Sequence, residues 1–268
     1  MNVLDVNGLT VRAADGRALV SEVSFSVAAG GRLGLIGESG SGKSLTALAV
    51  MGLLPPGMTA AGSVVLEAPG LPRTEVIGAA ERRLVELRGR AAAVIFQEPL
   101  TALDPLMRVG RQIAEPLRRR QGLRGAALRG AVGEALDQVR LPERAARAYP
   151  HEISGGQRQR VAVAMALACE PALLIADEPT TALDVTVQSE VLALLDTLVA
   201  ERGMALLFVS HDLAVVAGTT DRIVVLKDGE AVESGSVEGI VNSPRHPYTR
   251  NLVTSARHLE DALERTIR

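Results

Sequence analysis

The stretch that decides the fold is "RLGLIGESGSGKSLTALAVMGLL", residues 32–54. "RLGLI", Arg32 to Ile36, is a short apolar strand, and "KSLTALAVMGLL" is apolar at helical spacing up to "PPG" (55–57), which stops it. Between them "GESGSGKS" fits G-x-x-x-x-G-K-[ST] in the strand–loop–helix context that the pattern requires. Glycines there let successive backbone N–H groups wrap a phosphate chain at a helix N-terminus. The residues concerned are Gly37, Glu38, Ser39, Gly40, Ser41, Gly42, Lys43 and Ser44. Lys43 is expected to reach the β- and γ-phosphate oxygens, and the Ser44 hydroxyl to coordinate Mg²⁺. The bland alternative is a glycine-rich turn that merely opens a helix; the flanking strand and helix together weigh against it.

Such a loop needs an acidic partner for the metal at the end of a neighbouring strand. "LLIADE" (173–178) supplies one, since Asp177 closes an apolar run and Glu178 follows at once. Asp177 is assigned to the Mg²⁺ shell, and Glu178 to orienting or deprotonating the attacking water. Taken alone, an Asp-Glu pair after a strand is usually a solvated loop start. Gln97 ends the strand "AAVIF" (92–96), where its neutral amide suits the metal and the water without competing as a base. His211, after "ALLFV" (205–209), is placed to contact the γ-phosphate, or else is an ordinary polar cap.

Outward from these motifs the chain alternates. "LTVR" (9–12) and "VSFSV" (23–27) read as strands around an "ADGR" turn, and "SVVLE" (63–67) as another. A charged helix is expected over 81–90. From residue 98 to 155 strand signals vanish, and arginine-rich, glycine-broken helical stretches take over. Strand "ALLIA" (172–176), a helix over 185–202 and a hairpin around "KDG" restore the α/β pattern. A polar tail follows from about residue 240 and ends in a charged helix. The expected organisation is therefore an α/β core of residues 1–97 and 156–240, a helical insertion at 98–155, and a tail at 241–268.

A second phosphate-type helix start lies at "ISGGQRQR" (153–160). Ser154 and Gln157 have capping-box spacing, yet Gly155 and Gly156 occupy the first turn, where each costs about 1 kcal/mol relative to alanine. Glycine is tolerated there if something approaches the backbone closely.

Five motifs in order, "GESGSGKS", "FQEP", "ISGGQRQR", "LLIADEPTTALD" and "SHD", resemble the Walker A, Q-loop, signature, Walker B with D-loop, and H-loop of ABC-transporter ATPases. That resemblance implies a P-loop NTPase fold, with a RecA-like core, an antiparallel β subdomain and an all-helical subdomain. It implies ATP and Mg²⁺ as cofactors and a head-to-tail dimer, a homodimer or a heterodimer with a second ABC ATPase. Ser154, Gly155, Gly156 and Gln157 of one chain would then complete the ATP site of the other, and Asp184 in "TALD" would lie at the dimer interface.

The finer resemblance is to the peptide/nickel (oligopeptide-type) importer branch, carried by "FQEPLTALDP", "YPHEISGGQRQRVAVAMALACEP", "DEPTTALDVTVQ" and "SPRHPYT". It implies ATPase activity coupled to transport, transmembrane permease subunits docking near residues 97–104, and an indirect link to an extracytoplasmic binding protein. The location it implies is the cytoplasmic face of the cell membrane. Two departures stand out: no aromatic near Arg12 to Ala14 to stack on adenine, and no tail cysteines, so no iron–sulfur cluster is expected. Two rival functions share these motifs: an ABC-type ATPase of a soluble complex, such as phosphonate degradation, and a nucleotide-binding regulatory subunit with little turnover.

Bulk properties bound the rest. A net charge of −2 gives no reason to expect a nucleic-acid partner, and "RRR" (118–120) reads as a solvated helical face. The single cysteine, Cys169, reads as a buried small hydrophobe. No apolar run approaches the ~20 residues of a membrane span, and the N-terminus has no signal-peptide pattern. Tyr248 in "HPYT" reads as a tail anchor packed on the core.

Overall fold

The computed structural model describes residues 1–98, 102–180 and 183–267, with side chains up to residue 257. Two sheets organise it. The first is antiparallel, with β1 (Asn2–Arg12), β2 (Ala18–Ala28), β4 (Thr59–Leu66) and β5 (Thr74–Glu75) in the order β2-β1-β4-β5. The second has the order β10-β9-β3-β8-β7-β6, built from β3 (Arg32–Ile36), β6 (Ala92–Ile95), β7 (Leu173–Asp177), β8 (Ala205–Ser210), β9 (Arg222–Lys227) and β10 (Glu230–Ser236). Strands β6, β7, β8, β3 and β9 run parallel, and only β10 is antiparallel to its neighbour.

Period-2 alternation in the parallel strands sends successive side chains into two different cores. Leu33, Leu35, Leu173, Ile175, Leu207, Val209, Val224 and Leu226 face the antiparallel sheet and pack with Leu4, Val6, Val20 and Val64. Their strand neighbours Ile36, Leu174, Ala176, Leu206, Phe208, Ile223 and Val225 face the helices, packing with Ile113, Leu136, Val161 and Leu194. Phe208 is the largest fully buried side chain; aliphatic residues fill nearly all the remainder. Gly34 on β3 is required by close approach, since a Cβ there would lie 2.1 Å from Val216 Cγ1.

Between β6 and β7 the described residues are helical. They form α3 (Val109–Gln121), α4 (Gly125–Gln138), two short 3-10 turns and α5 (Gly155–Leu167). The other helices are α1 (Lys43–Val50), α2 (Glu81–Leu87), α6 (Val185–Arg202), α7 (Leu213–Thr219), α8 (Val237–Asn242) and α9 (Pro247–Ile267).

Several expectations need correction. The first two strands are 11 residues each, because Asp5 and Asn7 pair within the β1–β4 ladder and the β1–β2 pairing continues past register shifts, one of which holds Glu22 (φ 53°). α1 stops at Val50 instead of running to residue 54, since Gly52 turns left-handed (φ 62°). Cys169 is half-buried beside the Pro116 carbonyl, with burial pushing its thiol pKa up. The arginine run is not one solvated face either. Arg118 and Arg119 pair with Glu115, but Arg120 donates to the carbonyls of Val85 and Arg88, fastening α3 to the region of α2.

Candidate functional site

Every polar residue of the site follows the C-terminal end of a parallel strand. The strands concerned, β3, β8, β7 and β6, are consecutive neighbours in the sheet. The loop 37–44 leaves β3, His211 leaves β8, Asp177 ends β7 with Glu178 directly after it, and Gln97 lies just beyond β6. Parallel alignment therefore brings four segments, up to 174 positions apart in sequence, to one edge, where open α/β sheets bind ligands. The result is a cleft of about 540 Å³ lined by Glu38, Ser39, Gly40, Gly42, Lys43, Ser44, Leu45, Gln97, Glu178 and His211.

The loop curls over the N-terminus of α1. Gly42 is left-handed (φ 96°), and a Cβ at Gly37 would fall 2.2 Å from the Leu226 carbonyl oxygen. Lys43 is buried and folds back, donating to the carbonyl oxygens of Gly37 at 2.7 Å and Glu38 at 2.9 Å. Burial pulls its pKa down, against the opposing charges of Glu178 and Asp177. Ser44 Oγ donates to Asp177 Oδ1 at 3.1 Å. Asp177 is itself buried, and desolvation raises its pKa despite that hydrogen bond. Desolvation thus works against the charged form of both Lys43 and Asp177, a pattern common at functional clefts.

Glu178 adopts a left-handed backbone (φ 46°), rare for a non-glycine residue, and its N–H is held by the Val209 carbonyl at 2.8 Å. This turn directs the carboxylate across the cleft. Gln97 Nε2 donates to Glu178 Oε2 at 3.1 Å, and His211 Nδ1 lies 3.2 Å from Glu178 Oε1. His211 thus lines the cleft beside Glu178.

A magnesium ion fits this donor set. Among the described residues no group of three or more His, Cys, Asp or Glu could hold a metal unaided. Mg²⁺, however, usually takes one or two protein oxygens and completes its shell with substrate phosphates and water. The adjacent Ser44 hydroxyl and Asp177 carboxylate provide such a pair, with the Gln97 amide at the same rim.

The cleft does not gather everything. Ser154 to Gln157 lie outside its lining, as does Asp184. The capping box does form: Ser154 Oγ accepts from Gln157 N–H at 3.3 Å, and Gln157 Oε1 accepts from Ser154 N–H at 3.0 Å. The two glycines differ. A Cβ on Gly156 would come within 2.4 Å of Val187 Cγ1, so packing of α5 on α6 explains that glycine within the chain. Gly155 is exposed and has room for a methyl, with Leu183 Cδ2 at 3.4 Å. Asp184 caps α6, accepting from Val187 N–H at 3.0 Å. Arg12 donates to the Gly16 carbonyl in its own turn, and Arg12 to Ala14 do not line the cleft. The expected permease-docking segment 97–104 falls partly outside the described residues, at 99–101, as do Thr181 and Ala182 before Asp184.

Residue-by-residue reading overlooked two features. Leu45 lines the cleft from the first turn of α1. Tyr248, buried as expected of an anchor, also accepts a hydrogen bond from the Glu38 N–H at 2.8 Å.

Residues 20–181 match the family model described as "ABC transporter". A Brucella ovis protein named as a peptide import ATP-binding protein is 46% identical over 269 residues, 98% of this chain and 80% of its own length. The glutathione import ATP-binding protein GsiA of Escherichia coli K12 is 47% identical over 96% of this chain, which spans 42% of that longer protein. Among solved structures, a dimeric post-hydrolysis ATP-binding cassette bound to ADP and Pi superposes with TM-score 0.76. It is 28% identical, over 87% of this chain and 98% of its own. The cassette cbiO1 from Clostridium perfringens, part of a transporter complex, gives TM-score 0.77 at 25% identity, covering 98% and 99% of the two chains.

Proposed function

The chain belongs to the ABC transporter family, and from that premise we propose that it is the ATP-hydrolysing subunit of an importer for peptides or similar small cargo, glutathione and nickel chelates included. The observation that carries this reading is the meeting, in one cleft, of the 37–44 loop with Gln97, Glu178 and His211. The names of its relatives favour import, and the names of two of them favour a peptide-like cargo.

In this mechanism the backbone N–H groups of residues 39–44 surround the phosphates, and Lys43, held by the carbonyls of Gly37 and Glu38, turns its remaining N–H to the β- and γ-phosphate oxygens. Ser44, Asp177 and Gln97 would hold Mg²⁺, which would supply positive charge to offset that of the phosphates. Glu178 accepts a proton from the attacking water, and Gln97 and His211 fix its carboxylate from its two oxygens. His211 contacts the γ-phosphate side of the cleft and Gln97 carries the nucleotide state toward the helical insertion.

Ser154, Gly155, Gly156 and Gln157 serve a second cassette. One triphosphate needs one cradle, and these residues stand outside this chain's own. The chain contains both a cradle and a signature, so two copies suffice to build two complete sites, with Asp184 near their junction. The division at residues 97/98, 155/156 and 240/241 belongs to the same proposal: a nucleotide-binding core, a helical subdomain that meets the permeases, and a tail. No helix among the described residues is long and apolar enough to cross a membrane. We place the subunit peripherally on the cytoplasmic face, bound to permease subunits that receive cargo from an extracytoplasmic binding protein.

The test is whether the chain co-purifies with multi-span membrane proteins in detergent and shows Mg-ATPase activity that Lys43→Ala abolishes. Recovery in a soluble assembly, or turnover indifferent to Lys43, would overturn the reading.

A further inference from the structure

We propose that Tyr248 is a positioning residue of the nucleotide site, holding the first peptide of the phosphate loop in the orientation that Lys43 uses. This rests on the reading of residues 37–44 as the ATP cradle. The peptide between Gly37 and Glu38 is gripped at both ends. Its carbonyl oxygen accepts from Lys43 Nζ at 2.7 Å, and its N–H donates to the Tyr248 hydroxyl at 2.8 Å. A rotation of that peptide plane would break both contacts at once, so the hydroxyl resists a flip that would reorient the lysine's resting acceptor.

The position of the hydroxyl is itself fixed. Tyr248 is 7% exposed, and Lys227 Nζ, at the end of β9, lies 5.4 Å from its ring centroid. The segment before it is tied to β10, because the Glu233 carboxylate accepts from the backbone N–H of Arg245 at 2.8 Å and of His246 at 3.0 Å. On the other side the loop cannot retreat, since Gly37 already abuts the Leu226 carbonyl on β9. The strap 244–248 thus bridges the β9–β10 hairpin and the phosphate loop, 210 positions from Glu38. Burial raises the phenol pKa, so the accepting oxygen belongs to a neutral hydroxyl at physiological pH.

The consequence is a contribution to nucleotide affinity from outside the recognised motifs. Tyr248→Phe keeps the ring and removes only the acceptor. The full-length variant is expected to bind Mg-ATP about 2–10-fold more weakly, the range of one net hydrogen bond. KM for ATP should rise with kcat little changed, and the Glu38 amide should exchange faster with deuterium. Val253→Ala, which loosens the buried face of the same helix without reaching the loop, should lower the melting temperature and leave affinity and Glu38 exchange at parental values. The inference is overturned if Tyr248→Phe matches the parent in affinity and exchange. It is equally overturned if Val253→Ala weakens binding as much. A parental chain that fails to bind Mg-ATP would remove the cradle reading and this inference with it; normal parental binding with an unaffected Tyr248→Phe would remove the inference alone.

Discussion

Gln97 and Glu178 meet at 3.1 Å, amide nitrogen to carboxylate oxygen, across the rim of the cleft. They reach each other because β6 and β7 are parallel neighbours, so each strand's end delivers its residue to the same edge. The pairing gives Glu178 a fixed orientation opposite the phosphate loop, and the central expectations for catalysis follow from it.

Glu178→Gln preserves shape and hydrogen bonding but cannot take a proton. Turnover should fall by about 10²–10⁴-fold, the usual contribution of a general base, while Mg-ATP binding persists. Steady-state ATPase assays with parallel binding titrations check this; parental turnover would remove Glu178 from the role.

Gln97→Ala should lower turnover by roughly 10-fold or more, since a hydrogen bond to a charged group is worth about 1.5–3 kcal/mol. In the Glu178→Gln background the same substitution should cost little further, because the two act as a unit. A full, additive penalty in a double-mutant cycle would show that Gln97 works independently of Glu178.

Gly156→Ala should destabilise the fold. The added methyl meets Val187 Cγ1 at 2.4 Å, and overpacking of about 1–3 kcal/mol outweighs the roughly 1 kcal/mol gained in helix propensity. Val187→Ala in the same chain should restore most of the loss. Gly155→Ala, with its nearest contact at 3.4 Å, should be neutral or slightly stabilising. Urea unfolding midpoints distinguish the three variants.

Glu233 sets a pH dependence. Burial works against its ionisation, but the hydrogen bonds it accepts, those from Arg245 and His246 N–H among them, outweigh burial and hold its pKa below 4.5. A depressed carboxylate binds fewer protons folded than unfolded. Its stabilisation is therefore complete above 4.5 and is lost as pH falls from there through the lower folded value. Relative to Glu233→Gln, the parent should hold a constant advantage near neutrality that shrinks below pH 4.5. An advantage unchanged in acid would refute the assignment.

Much of this was legible in the chain itself. "RLGLI", "LLIAD" and "ALLFVS" are short and apolar between their polar ends (Arg32, Asp177 and Ser210) because both faces of their sheet are covered, which marks them as central parallel strands. Once they are neighbours, the polar residues that follow them must converge, so Lys43, Gln97, Glu178 and His211 were accessible from spacing and residue type alone. The two-residue strand β5 carries too little pattern to register, and α7 is a seven-residue apolar stretch with no polar face. Sequence cannot show that Gly156 also packs against Val187. The Tyr248–Glu38 bond has no local signal at all, since it depends on where a tail returns after seven intervening strands.

The most direct measurement of the central claim, that the signature at 154–157 serves another chain's ATP, mixes two inactive variants. Lys43→Ala has a disabled cradle and an intact signature; Gly155→Asp has the reverse. Each alone should hydrolyse ATP at a small fraction of the parental rate. Mixed in equal amounts, they should recover about a quarter of parental turnover, because random pairing gives half the dimers one intact composite site. Mixtures no more active than the separate variants, or a Gly155→Asp chain with parental turnover by itself, would contradict the account.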